Sequence, residues 1–156
     1  MKFHFLCCLL ALTALYTTGC GDDTDDFCEG SVSLEDYLDQ NPQGQEVLTD
    51  DSGLRYIILE PGTPQRPMLT SEVTIKYTGT LTNDNVFDQT DGEETRTFVL
   101  GGLIEGWQIG LQLIGAGGKI RMFIPSELAY GPRQSGRICP NSDIIFDVEM
   151  VGWTDN

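Results

Sequence analysis

Between residues 73 and 81 apolar and polar side chains take turns: Val73, Ile75, Tyr77 and Leu81 alternate with Thr74, Lys76, Thr78 and Thr80. A period of two is that of a strand with one buried and one wet face, which suits an antiparallel sheet. The alternation returns in "KIRMFIP", with Ile120, Met122 and Ile124 on one face, and in "DIIFDVEMVGW", with Ile144, Phe146, Val148 and Met150. "SGLRYIILEPG" reads as a strand between turn signals and "RTFVL" as a short one, which makes five. From Thr82 to about Glu94 the chain is rich in Asn, Asp and Gly and reads as a loop, interrupted by the apolar pair Val86 and Phe87. The period changes in "GLIEGWQIGLQL", where Trp107, Leu111 and Ile114 recur at i, i+4 and i+7 and predict a helix. Glu105 falls in its first turn, against the positive end of the helix dipole. Gly110 inside so short a helix costs about 1 kcal/mol relative to Ala, so tertiary packing must hold it. A shorter helix is expected in "SVSLEDYLDQNP", with Ser33 as N-cap, Glu35 and Asp36 in the first turn and Asn41-Pro42 as the stop. The expected fold class is α+β: an antiparallel sheet curved around one short helix, with a single core.

Charge narrows the choice of partner. The 156 residues hold 24 acidic against 9 basic side chains, a net charge of −15. That argues against nucleic acid, whose affinity comes from Lys and Arg on phosphates. Asp22, Asp23, Asp25 and Asp26 form a tract of the kind that serves as a solvated tether. Ahead of it, Lys2 and the apolar "FLCCLLALTALY", too short to span a bilayer, make residues 1–19 an expected export signal. The "TTGC" that ends this stretch resembles a bacterial lipoprotein processing site, with Thr17 where Leu is usual. The resemblance implies a lipid on Cys20 and a membrane anchor, the alternative being plain secretion to the periplasm. Gly21 after the cysteine, in place of Asp, favours the outer membrane by analogy with enteric bacteria. The expected organisation is a signal at 1–19, an acidic tether with a short helix at 20–50, and one folded domain at 51–156.

With Cys7 and Cys8 in the signal and Cys20 lipidated, two thiols remain, Cys28 and Cys139. In an oxidising compartment an even pair is most simply a disulfide, the other reading being two free buried thiols. Such a bridge would stabilise the fold by roughly 4 to 5 kcal/mol in the chain-entropy model. The only histidine, His4, lies in the signal, so Ser-His-Asp and Cys-His mechanisms lack their base. No His, Cys and carboxylate cluster has metal-ligand spacing, and "GAGG" at 115–118 precedes a strand where a phosphate cradle would open a helix. What remains is aromatic: Tyr77, Phe87, Trp107, Tyr130 and Phe146, with Asp88 directly after Phe87. Singly each reads as core. Together they suggest a small apolar pocket with one polar fixture.

The segments "VTIKYTGTL", "VFDQT", "LIEGWQIGLQ", "ELAYGPR" and "PNSDIIFDVEMV" stand in the order and spacing of an FKBP-type peptidyl-prolyl cis-trans isomerase, and the resemblance covers about residues 52–153. "DDSGLRYIILEPGT" resembles the lead-in of exported bacterial members. The resemblance implies an antiparallel sheet of five or six strands on one helix. It also implies a pocket formed by Tyr77, Phe87, Asp88, Leu103, Ile104, Trp107, Tyr130, Ile138 and Phe146. Trp107 would be the floor under the proline ring, Tyr130 a donor to the substrate carbonyl and Ile104 a backbone donor. Asp88 has two compatible readings, a pocket acceptor or an Asx-turn residue in "FDQTDG". Two positions depart from the family pattern: Arg96 where an aromatic is common, and Arg137 with Cys139 in the loop 131–141 where a proline is common. Both bear on substrate preference and macrolide affinity.

The implied function is isomerisation of X-Pro bonds in extracytoplasmic polypeptides, with no cofactor, in a monomer, and with a macrolide as candidate inhibitor. The alternative is a non-catalytic chaperone or partner-binding module that uses the same pocket, with Arg96 and Arg137 obstructing its mouth.

Overall fold

A computed structural model describes residues 23–41 and 43–155. Helix α1 (Asp23–Cys28) and helix α2 (Leu34–Gln40) lead into strands β1 (Leu48–Thr49), β2 (Arg55–Glu60), β3 (Glu72–Leu81), β4 (Val86–Gln89) and β5 (Arg96–Val99). Helix α3 (Glu105–Leu111) then precedes β6 (Lys119–Ile124) and β7 (Ile144–Thr154). The strands form one antiparallel sheet in the order β1-β2-β6-β7-β3-β4, with β5 also paired to β3. Five of them are those the periodicity predicts. The other two are short: β1 has two residues, and β4 lies inside the stretch expected as a loop. There Val86–Gln89 pairs with β3 through a register shift at Gly79/Thr80, so pairing with a strong neighbour overrides a turn-rich composition.

The inner face of the sheet carries the main core. Val73, Ile75, Tyr77 and Leu81 are buried along β3, Ile120, Met122 and Ile124 along β6, and Ile144, Phe146, Val148 and Met150 along β7. Against them lies α3, with Trp107 and Leu111 buried. The helix ends at Leu111, so the fully buried Ile114 comes from the turn after it. A Cβ on Gly110 would come within 2.2 Å of Met122 Sδ; the glycine that lowers helix propensity is what lets α3 approach β6.

The N-terminal segment departs from a tether over its described part. Residues 23–28 are helical, and Phe27 and Cys28 pack on the main core. Ser33 caps α2 as expected, accepting the Asp36 N–H at 3.2 Å, and the helix stops before Asn41. Leu34 then joins Ile57, Phe123 and Ile145 in a second cluster on the outer face of the sheet. The Asp143 carboxylate fixes this placement, accepting the N–H of Leu34 at 3.0 Å and of Ser126 at 2.9 Å. Leu34→Ala is expected to cost about 2–3 kcal/mol, the lower range for a buried leucine. A lower urea midpoint at unchanged slope would show it; an unchanged midpoint would mean that α2 is not docked.

Candidate active site

Between the inner face of the sheet and α3 lies a cavity of about 170 Å3, lined by Tyr77, Phe98, Leu103, Ile104, Trp107 and Tyr130. Tyr77 comes from β3 and Phe98 from β5; Leu103 and Ile104 form the approach to α3, and Trp107 is in its first turn. Trp107 is only 4% exposed and meets three rings edge-on, Phe146 at 4.8 Å, Tyr77 at 5.3 Å and Phe98 at 6.5 Å between centroids. Edge-to-face contacts of this kind fix ring orientation beyond what burial alone does. Phe87 in turn meets Phe146 at 5.4 Å. Both rings depend on Gly79 of β3, where a Cβ would fall 2.5 Å from Phe146 and 2.7 Å from Phe87. A larger groove of about 430 Å3 lies on the outer face among Lys76, Lys119, Arg121, Asp147 and Glu149. Its charged lining makes it a poor apolar surrounding for a substrate amide.

One polar group of three stands at the edge of the aromatic cavity. The Tyr77 hydroxyl donates to Asp88 Oδ2 at 2.5 Å, and Arg96 Nη1 donates to the Tyr77 oxygen at 2.6 Å and to Asp88 Oδ1 at 3.1 Å. Arg96 Nη2 donates to the Gln89 carbonyl at 3.2 Å, and the guanidinium carbon lies 5.5 Å from the Tyr77 ring centroid. The local chain path explains the meeting. Asp88 pairs with Gly79, Arg96 pairs with Ile75, and Tyr77 lies on β3 between them, its backbone N–H held by Thr90 Oγ1 at 3.0 Å.

Burial pushes the Tyr77 phenol up to about 12, helped by the hydrogen bond to Asp88 and its charge. Burial first, then the Asp88 charge, also raises Tyr130. Folding therefore favours the neutral Tyr77 phenol. That contribution is intact below pH 10, where unfolded tyrosine is also neutral, and is lost as the pH rises from 10 through about 12. A spectrophotometric titration of phenolate absorbance is expected to show a late component near pH 12 that Tyr77→Phe removes; complete titration by pH 11 would contradict this placement.

Of the residues expected from sequence, Tyr77, Leu103, Ile104, Trp107 and Tyr130 line the cavity. Phe87 and Phe146 form the ring layer behind it, and Asp88 stands behind the Tyr77 hydroxyl. Asp88 occupies a strand where an Asx turn was the second reading. Ile138 is buried in the same core but does not line the cavity. Phe98 lines it and was absent from the expected set; its signal was the alternation in "RTFVL", which turns Arg96 and Phe98 to one side. Neither arginine lines the cavity: Arg96 is bonded to Asp88 and Tyr77, and Arg137 lies over the Phe27 ring at 5.4 Å. Cys28 and Cys139 are joined as a disulfide, with Cα atoms 6.3 Å apart. Cys20 and the export signal lie outside the described residues. No group of three His, Cys, Asp or Glu among the described residues could hold a metal ion.

Known proteins resemble this chain in sequence and fold. The family model for FKBP-type peptidyl-prolyl cis-trans isomerases matches residues 63–151. The FKBP-type isomerase FkpA of Aeromonas hydrophila is 40% identical over 127 residues, 81% of this chain and 47% of that protein. The outer membrane protein MIP of Legionella longbeachae is 37% identical over 125 residues, 79% of this chain and 54% of that protein. The crystal structure of FkpA from Escherichia coli superposes with a TM-score of 0.72 at 37% identity, over 78% of this chain and 57% of that one. The chain thus spans about half the length of the curated relatives it matches. A matched domain of this extent, on a sheet and helix that enclose a cavity lined in part by Trp107, shows that the chain belongs to the FKBP-type peptidyl-prolyl cis-trans isomerase family.

Proposed function

We propose that this domain isomerises X-Pro peptide bonds in polypeptides that fold outside the cytoplasm. The observation that carries the reading is the cavity itself: about 170 Å3, lined by four aromatic and two aliphatic side chains. Clefts that engulf drug-sized ligands run to about 300–1,000 Å3. This one has the scale of a single ring.

The chemistry needs no nucleophile. Rotation about a peptide bond meets a barrier of about 18–20 kcal/mol from amide resonance, and X-Pro bonds turn over unaided in tens to hundreds of seconds. Water stabilises the planar, charge-separated amide. A site that replaces water with ring faces favours the twisted, less polar state, and every 1.4 kcal/mol gained there is about tenfold in rate. Trp107 would carry the proline ring, with Tyr77 and Phe98 as walls. The Tyr130 hydroxyl and the Ile104 N–H, which precedes the first helical turn and has no intrahelical partner, would hold the flanking carbonyls. Asp88 and Arg96 position Tyr77. A protease-coupled assay on a proline tetrapeptide, with Asp88→Ala and Tyr130→Phe as controls, tests the reading. A rate at the uncatalysed background with micromolar protein would overturn it.

The place of action belongs to the same proposal. A lipid on Cys20 would hold the domain at a bacterial outer membrane as a monomer, in keeping with the likeness to an outer membrane protein. Intact mass of membrane-extracted protein tests this: a mature chain without acyl mass would replace the anchor with plain periplasmic secretion. A macrolide inhibitor would compete with the tetrapeptide for the same cavity.

A further inference from the structure

Residues 27–32, from the last turn of α1 to the approach to α2, hold two loops that adjoin residues of the site. On one side is the turn after β3. Asn83 Nδ2 donates to the carbonyls of Phe27 at 3.0 Å and Glu29 at 2.8 Å, and Asn85 Nδ2 donates to that of Phe27 at 2.7 Å. Thr82 Oγ1 donates to the Val32 carbonyl at 2.7 Å and accepts the Val32 N–H at 2.9 Å. This turn runs directly into β4, which carries Phe87 and Asp88. On the other side is the loop 131–141. Cys28 is bridged to Cys139, and Arg137 lies over the Phe27 ring. The loop leaves from Tyr130, a cavity residue, and its neck is closed by the Asn141 N–H on the Gly131 carbonyl at 2.7 Å.

Apart from Ile138, which is buried in the main core, the loop has little else to order it. Its own pairing is one bridge between Ser135 and Ile138, and Gly131 and Gly136 take positive φ. Most of its other residues are exposed. Such a segment opens locally at low cost unless something ties it down.

We propose that residues 27–32, with the Cys28–Cys139 bridge as their covalent part, are a clamp that positions Tyr130 and the β4 strand for recognition of proline-containing chains. The proposal rests on the isomerase reading of the cavity. Cys28, Cys139, Asn85 and Arg137 are positioning residues, acting through Tyr130 and Asp88 without touching substrate. A binding site that is competent only part of the time has its dissociation constant divided by the competent fraction, and so raised, while the bound complex reacts as before. Loosening the clamp therefore raises KM and leaves kcat in place.

The test compares the wild type with Cys28→Ser/Cys139→Ser and with Arg137→Ala. Thermal midpoint, kcat and KM are measured on one X-Pro tetrapeptide, and peptide Kd by tryptophan fluorescence. The double variant is expected to raise KM and Kd together by about three- to tenfold with kcat within twofold of the wild type, and Arg137→Ala to raise both by about two- to threefold. A folded double variant with a lowered midpoint but unchanged KM and Kd would show that the bridge only stabilises, and would overturn the clamp. Should the double variant not fold, Arg137→Ala decides by the same criterion, its bridge being intact. A wild type that binds peptide without turnover overturns the isomerase reading and leaves the Kd comparison to judge the clamp. A wild type that does neither overturns both.

Discussion

Trp107→Ala is expected to lose stability and proline-site affinity together, with about 3–5 kcal/mol of the stability gone. The ring is 4% exposed and stands at the centre of a ring cluster that includes Tyr77, Phe98 and Phe146, so its removal opens a void that those partners cannot fill without leaving their edge-on contacts. Trp107→Leu separates the two roles. Leucine refills part of the volume, and it also removes an indole N–H that is buried with no acceptor among the described residues. An unpartnered buried donor costs about 1–3 kcal/mol, which offsets part of the packing loss. Trp107→Leu should therefore keep more of the urea stability than of the peptide affinity. If both variants lost stability and affinity in the same proportion, Trp107 would be core and nothing more.

Asp88→Ala is expected to lose a larger share of activity than of stability. The Asp88–Arg96 pair is partly solvated, with side chains 46% and 38% exposed, and exposed pairs contribute about 1 kcal/mol at most. The hydrogen bond from Tyr77 to the carboxylate is of the charged kind, worth about 1.5–3 kcal/mol. Tyr77 lines the cavity, so loss of its orientation is felt there, and kcat/KM is expected to fall about 10- to 100-fold. Arg96→Ala acts on the same three groups, so the double variant should cost less than the sum of the single ones. Additive losses would mean that Asp88 and Arg96 act separately and that the group of three has no positioning role.

Where one face of an element met the core and the other met water, the sequence was legible: β3, β6, β7 and the Trp107 face of α3 all follow their periods. It was less legible where a second element covers the outer face. Phe123 and Ile145 occupy outward positions yet are buried, because α2 lies over them, and no alternation says which segment will do so. Strand β4 was hidden for a related reason, its four residues being held by pairing to β3 across a register shift. In the site, the aromatic positions were readable as a set, while the partners of Arg96 were not. Its place in the chain indicated an obstruction at the mouth of the pocket. Its guanidinium instead reaches along the edge of β3 from β5 to Asp88 of β4 and to Tyr77, and reach of that kind has no periodic signature.

The most direct test of the account is exchange NMR on an X-Pro tetrapeptide with substoichiometric protein, which follows the cis and trans peptide signals with no coupling enzyme. Unaided exchange takes tens to hundreds of seconds. With the wild-type domain, cis-trans cross-peaks are expected at mixing times below about 1 s, a shortening of at least about tenfold. They should weaken with Asp88→Ala and fade with Trp107→Leu while both variants remain folded. A folded wild type that binds the peptide, yet leaves exchange at its unaided rate, would contradict the account and make this cavity a binding site alone.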